Sequence, residues 1–263
     1  KPNNRKFYYA HRRLRDGEVY FLDNHEDTAL IHTFTFRCKG KSIELWNPVT
    51  GKRYALQGEK TIDGCTAISL QMAARESFFV VFNDKKEPKK LPLKKWDNLT
   101  EEIKRIEGDW MIEFDEKWGG PGKVIFSELT DWTSHIDNRI KYYSGTAVYR
   151  KSLTIDTVAP NEQYMLRFNK LGDAARIVLN GEEVGTLWCS PWEIDVTGKM
   201  KAGENELKIY VVNSLMNRMI GDSMLPEKER VTYCATPIAT PKDSLVPSGI
   251  IGDVQFVRRL SSK

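Results

Sequence analysis

The chain has 263 residues, 40% of them hydrophobic and 11% aromatic with seven Trp, which supports one large or two medium cores and argues against disorder. Forty basic against 36 acidic residues leave a formal charge of +4, and no basic stripe with interleaved aromatics concentrates it, so no nucleic-acid partner is expected. No stretch approaches the ~20 apolar residues of a membrane span, so no membrane partner is expected either; the N-terminus lacks the apolar core of a signal peptide, which says little about location.

Residues 1–95 read as short strands between turns. EVYFL at 18–22 is one run, and Leu30, Phe34 and Phe36 alternate on one face of another. His32 falls on that apolar face and is expected as a core histidine. Asn47-Pro48 with Gly51 marks a turn. Ile68, Leu70 and Met72 alternate again, and 77–82 is a compact aromatic and β-branched run. Strands at this spacing predict a β-sandwich. The Pro- and Lys-rich stretch 85–95 interrupts the pattern and reads as a solvated linker.

The region 96–108 predicts a short linker helix. Asn98 can cap it, Glu101 stands at the capping-box position, Leu99, Ile103 and Ile106 share a face, and Gly108 can end it. From Trp110 onward strands return, at 110–114, 124–127, 146–155, 164–168, 175–179, 182–187, 194–196, 207–212 and 254–257. Asn180-Gly181 is a hairpin turn, because both residues tolerate positive φ. Nine short strands predict a second sandwich over 109–263, and 217–250 reads as a long loop, a kind of segment that is often functional or packed on a neighbour.

Four cysteines, at 38, 65, 189 and 234, form no CxxC pair, so a zinc knuckle is not expected. Cys38 and Cys65 could pair; buried free thiols are the favoured reading. The four histidines show no HExxH or paired spacing, and there is no GxSxG elbow or P-loop. No cofactor is expected. A structural Ca²⁺ stays open, since loop carboxylates and carbonyls suffice as ligands.

The order of several motifs resembles one enzyme family. These are His11-Arg12-Arg13 with GEVYFLDN at 17–24, ELWNPVTG at 44–51, LTDW at 129–132, IKYYSGTA at 140–147 and LNGEEVGTLWCSPWEIDVTG at 179–198. They continue with GENELKIYVVN at 203–213, NRMIGD at 217–222 and PSGIIG at 247–252. Together they are similar to the C-terminal region of the α-L-rhamnosidase-like enzymes of glycoside hydrolase family 106. The part from 109 resembles the galactose-binding-like jelly roll of family 2. Asn47 stands where the family pattern has Asp. The resemblance implies an all-β fold of two β-sandwich domains, the second a galactose-binding-domain-like jelly roll. It implies a periplasmic or extracellular accessory region beside a catalytic barrel that this chain lacks. It also implies a plant-type polysaccharide or oligosaccharide partner containing rhamnose or galactose. No residue matches the family's catalytic acid or base, so no catalytic residue is assigned.

Candidate sugar contacts follow from chemistry. Trp188 and Trp192 offer flat apolar faces to pyranose C–H groups, and Glu193 could accept hydroxyl hydrogen bonds. Asn217, Arg218 and Asp222 form the best polar cluster, to grip a ligand or, through an Arg218–Asp222 lock, to brace the loop. Trp132, Tyr142 and Tyr143 read equally as a second aromatic platform or as core. Asp131, Glu193, Asp195 and Asp222 lie in loops or at strand ends, where solvation or capping is a better reading than catalysis.

Overall fold

A computed structural model describes residues 6–38, 42–60, 63–84, 91–94, 100–236 and 238–260. The chain divides into two compact units, 1–98 and 99–263. Each is strand-rich and has its own hydrophobic core.

The first unit contains β1 (Phe7–Leu14), β2 (Gly17–Asn24), β3 (Leu30–Phe36), β4 (Ser42–Trp46), β5 (Arg53–Leu56), β6 (Glu59–Lys60), β7 (Thr66–Met72) and β8 (Ser77–Asn83). They form a five-stranded sheet, β1-β2-β8-β4-β5, and a three-stranded sheet, β3-β7-β6. The period of two decides which side chains face inward. Tyr20 and Leu22 from β2, Ile68, Leu70 and Met72 from β7, and Phe78, Val80 and Phe82 from β8 close one core between the two sheets. Burying each such side chain contributes about 1.5–3 kcal/mol. His32 is not in that core: it is exposed on β3, with its ring 4.8 Å from those of Phe7 and Phe34. The open edge of β3 leaves the imidazole in water while its apolar face rests on phenyl rings.

The second unit contains β9 (Thr100–Arg105), β10 (Trp110–Phe114), β11 (Gly122–Phe126), β12 (Thr146–Ile155), β13 (Gln163–Leu171), β14 (Ala174–Leu179), β15 (Glu182–Leu187), β16 (Glu193–Asp195), β17 (Gly203–Val212) and β18 (Ile250–Leu260), with short helices α1 (Asn138–Lys141) and α2 (Met216–Ser223). A six-stranded sheet, β11-β10-β12-β17-β14-β15, faces a four-stranded sheet, β16-β13-β18-β9. Ile112, Tyr149, Ile177 and Ile209 from the first meet Tyr164, Leu166, Val254 and Phe256 from the second. This is an all-β sandwich. The β14–β15 turn holds Asn180 at φ 53° and Gly181 at φ 81°, as a two-residue hairpin requires. None of the four cysteines forms a disulfide, and only Cys38 is buried.

The linker helix is not there. Residues 100–105 form β9, which pairs antiparallel with β18 from Thr100↔Leu260 to Arg105↔Gln255. Asn98 and Leu99 lie outside the described residues, as do 85–90 of the basic stretch. Local propensity loses here to partners far along the chain. Glu101 accepts two hydrogen bonds from Arg167, both 3.0 Å, and one of 2.9 Å from Arg259. Arg167 and Arg259 also reach Glu193, at 2.9 and 2.7 Å, which closes a ring of two guanidinium and two carboxylate groups over β9, β13, β16 and β18. Beside it, Arg258 donates to Glu102 at 3.0 Å and to Glu162 at 2.6 Å.

Burial alone would raise the Glu101 pKa, but the hydrogen bonds and fields of Arg167 and Arg259 outweigh it and hold the carboxyl below its ordinary 4.5. A depressed pKa means stability that is complete above the unfolded value and lost as pH falls through the folded one. In urea melts, the native chain should therefore weaken progressively below about pH 4.5. Glu101→Gln should be about 1–2 kcal/mol less stable at pH 7 and show a flatter acid limb. An unchanged acid limb would remove the ring from any role in holding β9.

Candidate functional site

Strand register gathers the candidate residues at one end of the second sandwich. Phe114 pairs with Gly122 and Ala147, Thr146 with Val212, Val212 with Ala174, and Ala175 with Leu187. Gly172 and Asp173 join β13 to β14 at this same end, where Leu171 pairs with Ile250. Every connection leaving it, including 188–192 and 213–249, belongs to one loop cluster. Asn217, Arg218 and Asp222 lie on α2, inside the segment read from sequence as an unbroken loop.

The six candidates share that end but do not form one open site. Trp188, just past β15, is 59% exposed and free to meet a ligand. Trp192 is half-buried and packs on the core. Glu193 is held by Arg167 and Arg259, so both of its oxygens are already engaged.

Asn217 is buried and fully used. Its Nδ2 donates to the Val246 carbonyl at 2.7 Å and to Ser248 Oγ at 3.0 Å, while Oδ1 accepts from the Val246 N–H at 2.8 Å. Arg218 is buried too. Its Nη2 donates to the Trp118 carbonyl at 3.1 Å, and its backbone N–H donates to Ser144 Oγ at 3.1 Å. Burial pulls its pKa below the ordinary value, against the opposing fields of Asp222 and Tyr143. Asp222 Oδ2 accepts from the Thr232 N–H at 2.7 Å and its hydroxyl at 2.6 Å. The direct Arg218–Asp222 lock does not form: the two side chains brace different segments. Arg218 Nε and Asp222 Oδ1 stay buried without a hydrogen-bond partner.

Trp132 and Tyr143 are fully buried, so they are core rather than platform, whereas Tyr142 is half-buried. Trp132 Nε1 donates to Tyr149 Oη at 2.7 Å, and Tyr143 Oη donates to the Thr146 carbonyl at 2.9 Å. Burial pushes both phenols above their ordinary pKa. The PSGIIG motif has a steric reason here. Gly249 sits at φ 91°, and a Cβ there would lie 2.4 Å from Trp132 Nε1.

Sequence reasoning passed over Asn213, which ties this end together. Its Oδ1 accepts from the Gly145 N–H at 3.0 Å, and its Nδ2 donates to the Tyr143 carbonyl and to Ser248 Oγ, both at 2.9 Å. Its position, one residue past a strand of strict alternation, was the available signal. Among the described residues no group of three or more His, Cys, Asp or Glu is placed to hold a metal ion. None of their helices is long and apolar enough to cross a membrane.

Comparison with known proteins matches this architecture. Residues 1–60 match the family model described as alpha-L-rhamnosidase, and residues 133–238 match the one described as glycosyl hydrolase 2 galactose-binding domain-like. A solved rhamnosidase from Novosphingobium sp. PP1Y is 29% identical with a TM-score of 0.82, covering 98% of this chain and 24% of that one. A protein of Formosa agariphila, named as a beta-glucuronidase, is 33% identical over 176 residues, or 57% of this chain and 15% of the relative. The chain thus spans about a quarter of the solved relative and a smaller share of the curated one. The resemblance read from the motifs, to α-L-rhamnosidase-like and family 2 galactose-binding-like domains, holds.

The hydrogen-bond pattern ranks two substitutions. Asn217→Ala leaves the Val246 N–H without its partner and removes one of two hydrogen bonds to the Val246 carbonyl, and should cost about 2–3 kcal/mol in urea denaturation. Arg218→Met removes a buried cation that has no ion-pair partner and should change stability by less than about 1 kcal/mol in either direction. The reverse order would make Arg218 the anchor of the loop.

Proposed function

We propose that this chain is a non-catalytic accessory region of a polysaccharide-degrading glycoside hydrolase of the α-L-rhamnosidase type, and that its loop end meets the catalytic barrel of a longer protein. The observation that carries the reading is a structural match covering 98% of this chain yet only 24% of a rhamnosidase. The chemistry of the carboxylates supports it. Glycoside hydrolysis needs two carboxyl groups in contrasting environments, one kept protonated by desolvation. The four acids at loops and strand ends are engaged elsewhere. Asp131 accepts from the Thr133 and Ser248 N–H groups, and Glu193 belongs to the ion ring. Asp195 accepts from Gln163 and the Thr197 N–H, and Asp222 holds Thr232.

The loop end also exposes apolar side chains close together in sequence: Leu215, Met224, Leu225, Val231 and Tyr233, with Trp118 in the loop that Arg218 grips. Contiguous apolar exposure marks an interaction surface. The first unit exposes Tyr8 and Tyr9 on its edge strand β1. A second reading, glycan contact by the accessory region itself, is favoured by the exposure of Trp188. A plant-type glycan containing rhamnose or galactose is the partner this reading names.

Two measurements test the proposal. The isolated chain should show no turnover of an aryl α-L-rhamnoside, and turnover would overturn the non-catalytic assignment. Met224→Asp with Tyr233→Asp should shift the Tm of the isolated chain by no more than about 2 °C, as exposed substitutions do. The same pair in the longer enzyme should lower Tm by about 5 °C or more through the lost contact. Equal effects in both would remove the docking role of this end.

A further inference from the structure

A pocket of about 180 Å³ opens on the second unit. It lies where β9 runs into β10, beside the residues that follow β11 and the start of β18. Arg105, Glu107, Glu128 and Asp253 supply its charged wall, Ser127 lines it beside them, and half-buried Ile106 and Leu129 supply its apolar side. Its volume is below the roughly 300–1,000 Å³ of sites for drug-sized ligands, so it admits one small ring rather than a chain.

The two walls match the two aspects of a pyranose. C–H groups on a sugar face need apolar surface, and ring hydroxyls need donors and acceptors side by side. Arg105 Nη2 and Asp253 Oδ1 stand 2.7 Å apart, which places a donor group next to an acceptor. A pair of vicinal hydroxyls can accept from the guanidinium and donate to the carboxylate. Glu107 and Glu128 are exposed and make no hydrogen bond or ion pair with other described residues, which leaves their oxygens free for further hydroxyls.

Charge narrows the ligand class. One guanidinium faces three carboxylates in the lining. Lys151, whose Nζ donates to the Asp109 carbonyl at 2.8 Å and lies 5.6 Å from the Trp110 ring centroid, offsets part of that excess from behind the wall. The pocket stays acidic, so a uronate would meet repulsion. The same acids do not make a glycosidase centre. Glu107 and Glu128 stand in solvent and Asp253 is paired, so none has the desolvated setting of a catalytic acid.

We infer that the pocket beside β9, lined by Arg105, Glu107, Glu128 and Asp253, is a binding subsite for a single neutral sugar ring, sharing no lining residue with Trp188 or the other loop-end candidates. The inference rests on the carbohydrate-contacting reading of the accessory region and gives it a location and a ligand class.

Amide chemical shifts of the ¹⁵N-labelled chain, titrated with methyl α-L-rhamnoside and separately with D-galacturonate, test it. The expected result is saturable shifts at Ser127, Glu128 and Asp253 for the neutral glycoside, with a Kd of about a millimolar. The uronate should bind at least about fivefold more weakly. Ser127→Trp should fill the pocket and abolish the shifts with an unchanged melt. Glu128→Gln, which keeps the shape, should weaken binding a few-fold, so the test survives if the bulky variant misfolds. Trp188→Ala should bind normally. Binding that survives Ser127→Trp but is lost in Trp188→Ala overturns the pocket and leaves the carbohydrate-contacting reading standing. Tighter binding of the uronate overturns the ligand class. Absence of any saturable shift overturns both the pocket and glycan contact by this chain, while the docking role stands or falls separately on the Met224 and Tyr233 variants.

Discussion

The loop end of the second sandwich is governed by one constraint: backbone carried over the mouth of a packed core must still satisfy its hydrogen bonds. The 213–249 connection crosses that mouth, and short polar side chains supply the partners. Asn213, Asn217, Ser248 and Asp131 link Gly145, Tyr143, Val246 and the start of β18 into one network. Buried phenol and indole groups join it through Tyr143, Tyr149 and Trp132. Once those groups are spent on the fold, few remain to meet a ligand. The residue types that recognise sugars are also the types that close loops, and here closure takes most of them.

A second polar assembly acts on the opposite scale, across sheet rather than loop. The ring of Glu101, Arg167, Glu193 and Arg259 draws β9, the first strand of its unit, onto strands that follow it by more than 60 residues. The four side chains are partly exposed. Such pairs add little singly, but bidentate geometry and mutual support make a network worth more than its members. The ring engages β9 near its start, while its other end, Arg105, pairs with Gln255 and lines the acidic pocket. Position in the sheet thus reaches the candidate subsite through Arg105.

For an accessory region this division of labour is physically consistent. A glycan-facing surface needs a few unpaired polar groups beside apolar surface, and a docking surface needs apolar area with its polar groups already satisfied. The loop end has the second character, apart from Trp188 and the unpaired atoms Arg218 Nε and Asp222 Oδ1. The pocket beside β9 has the first.

The amino-acid sequence alone determined the class of the fold and much of its layout. Period-two alternation of Ile68, Leu70 and Met72 marked an inward face correctly, because a side chain's face depends only on its own strand. Asn180-Gly181 specified its turn for the same local reason, since φ above zero is a property of those residues. The motifs carried the likeness to rhamnosidase and galactose-binding-like domains, which depends on order along the chain. What the tertiary structure decided was the environment of each polar group. Glu101 looked like a helix cap until Arg259, 158 residues away, proved to be its partner. Arg218 and Asp222 looked like a pair bracing the long loop, yet each turned to another segment. Trp188 and Trp192 are near neighbours in the sequence, and only packing separated the exposed indole from the half-buried one. Alternation and turn chemistry are short-range and can be read from neighbouring residues. Hydrogen-bond and ion-pair partners are set by which distant strands the fold brings together, and a single sequence does not carry that information locally.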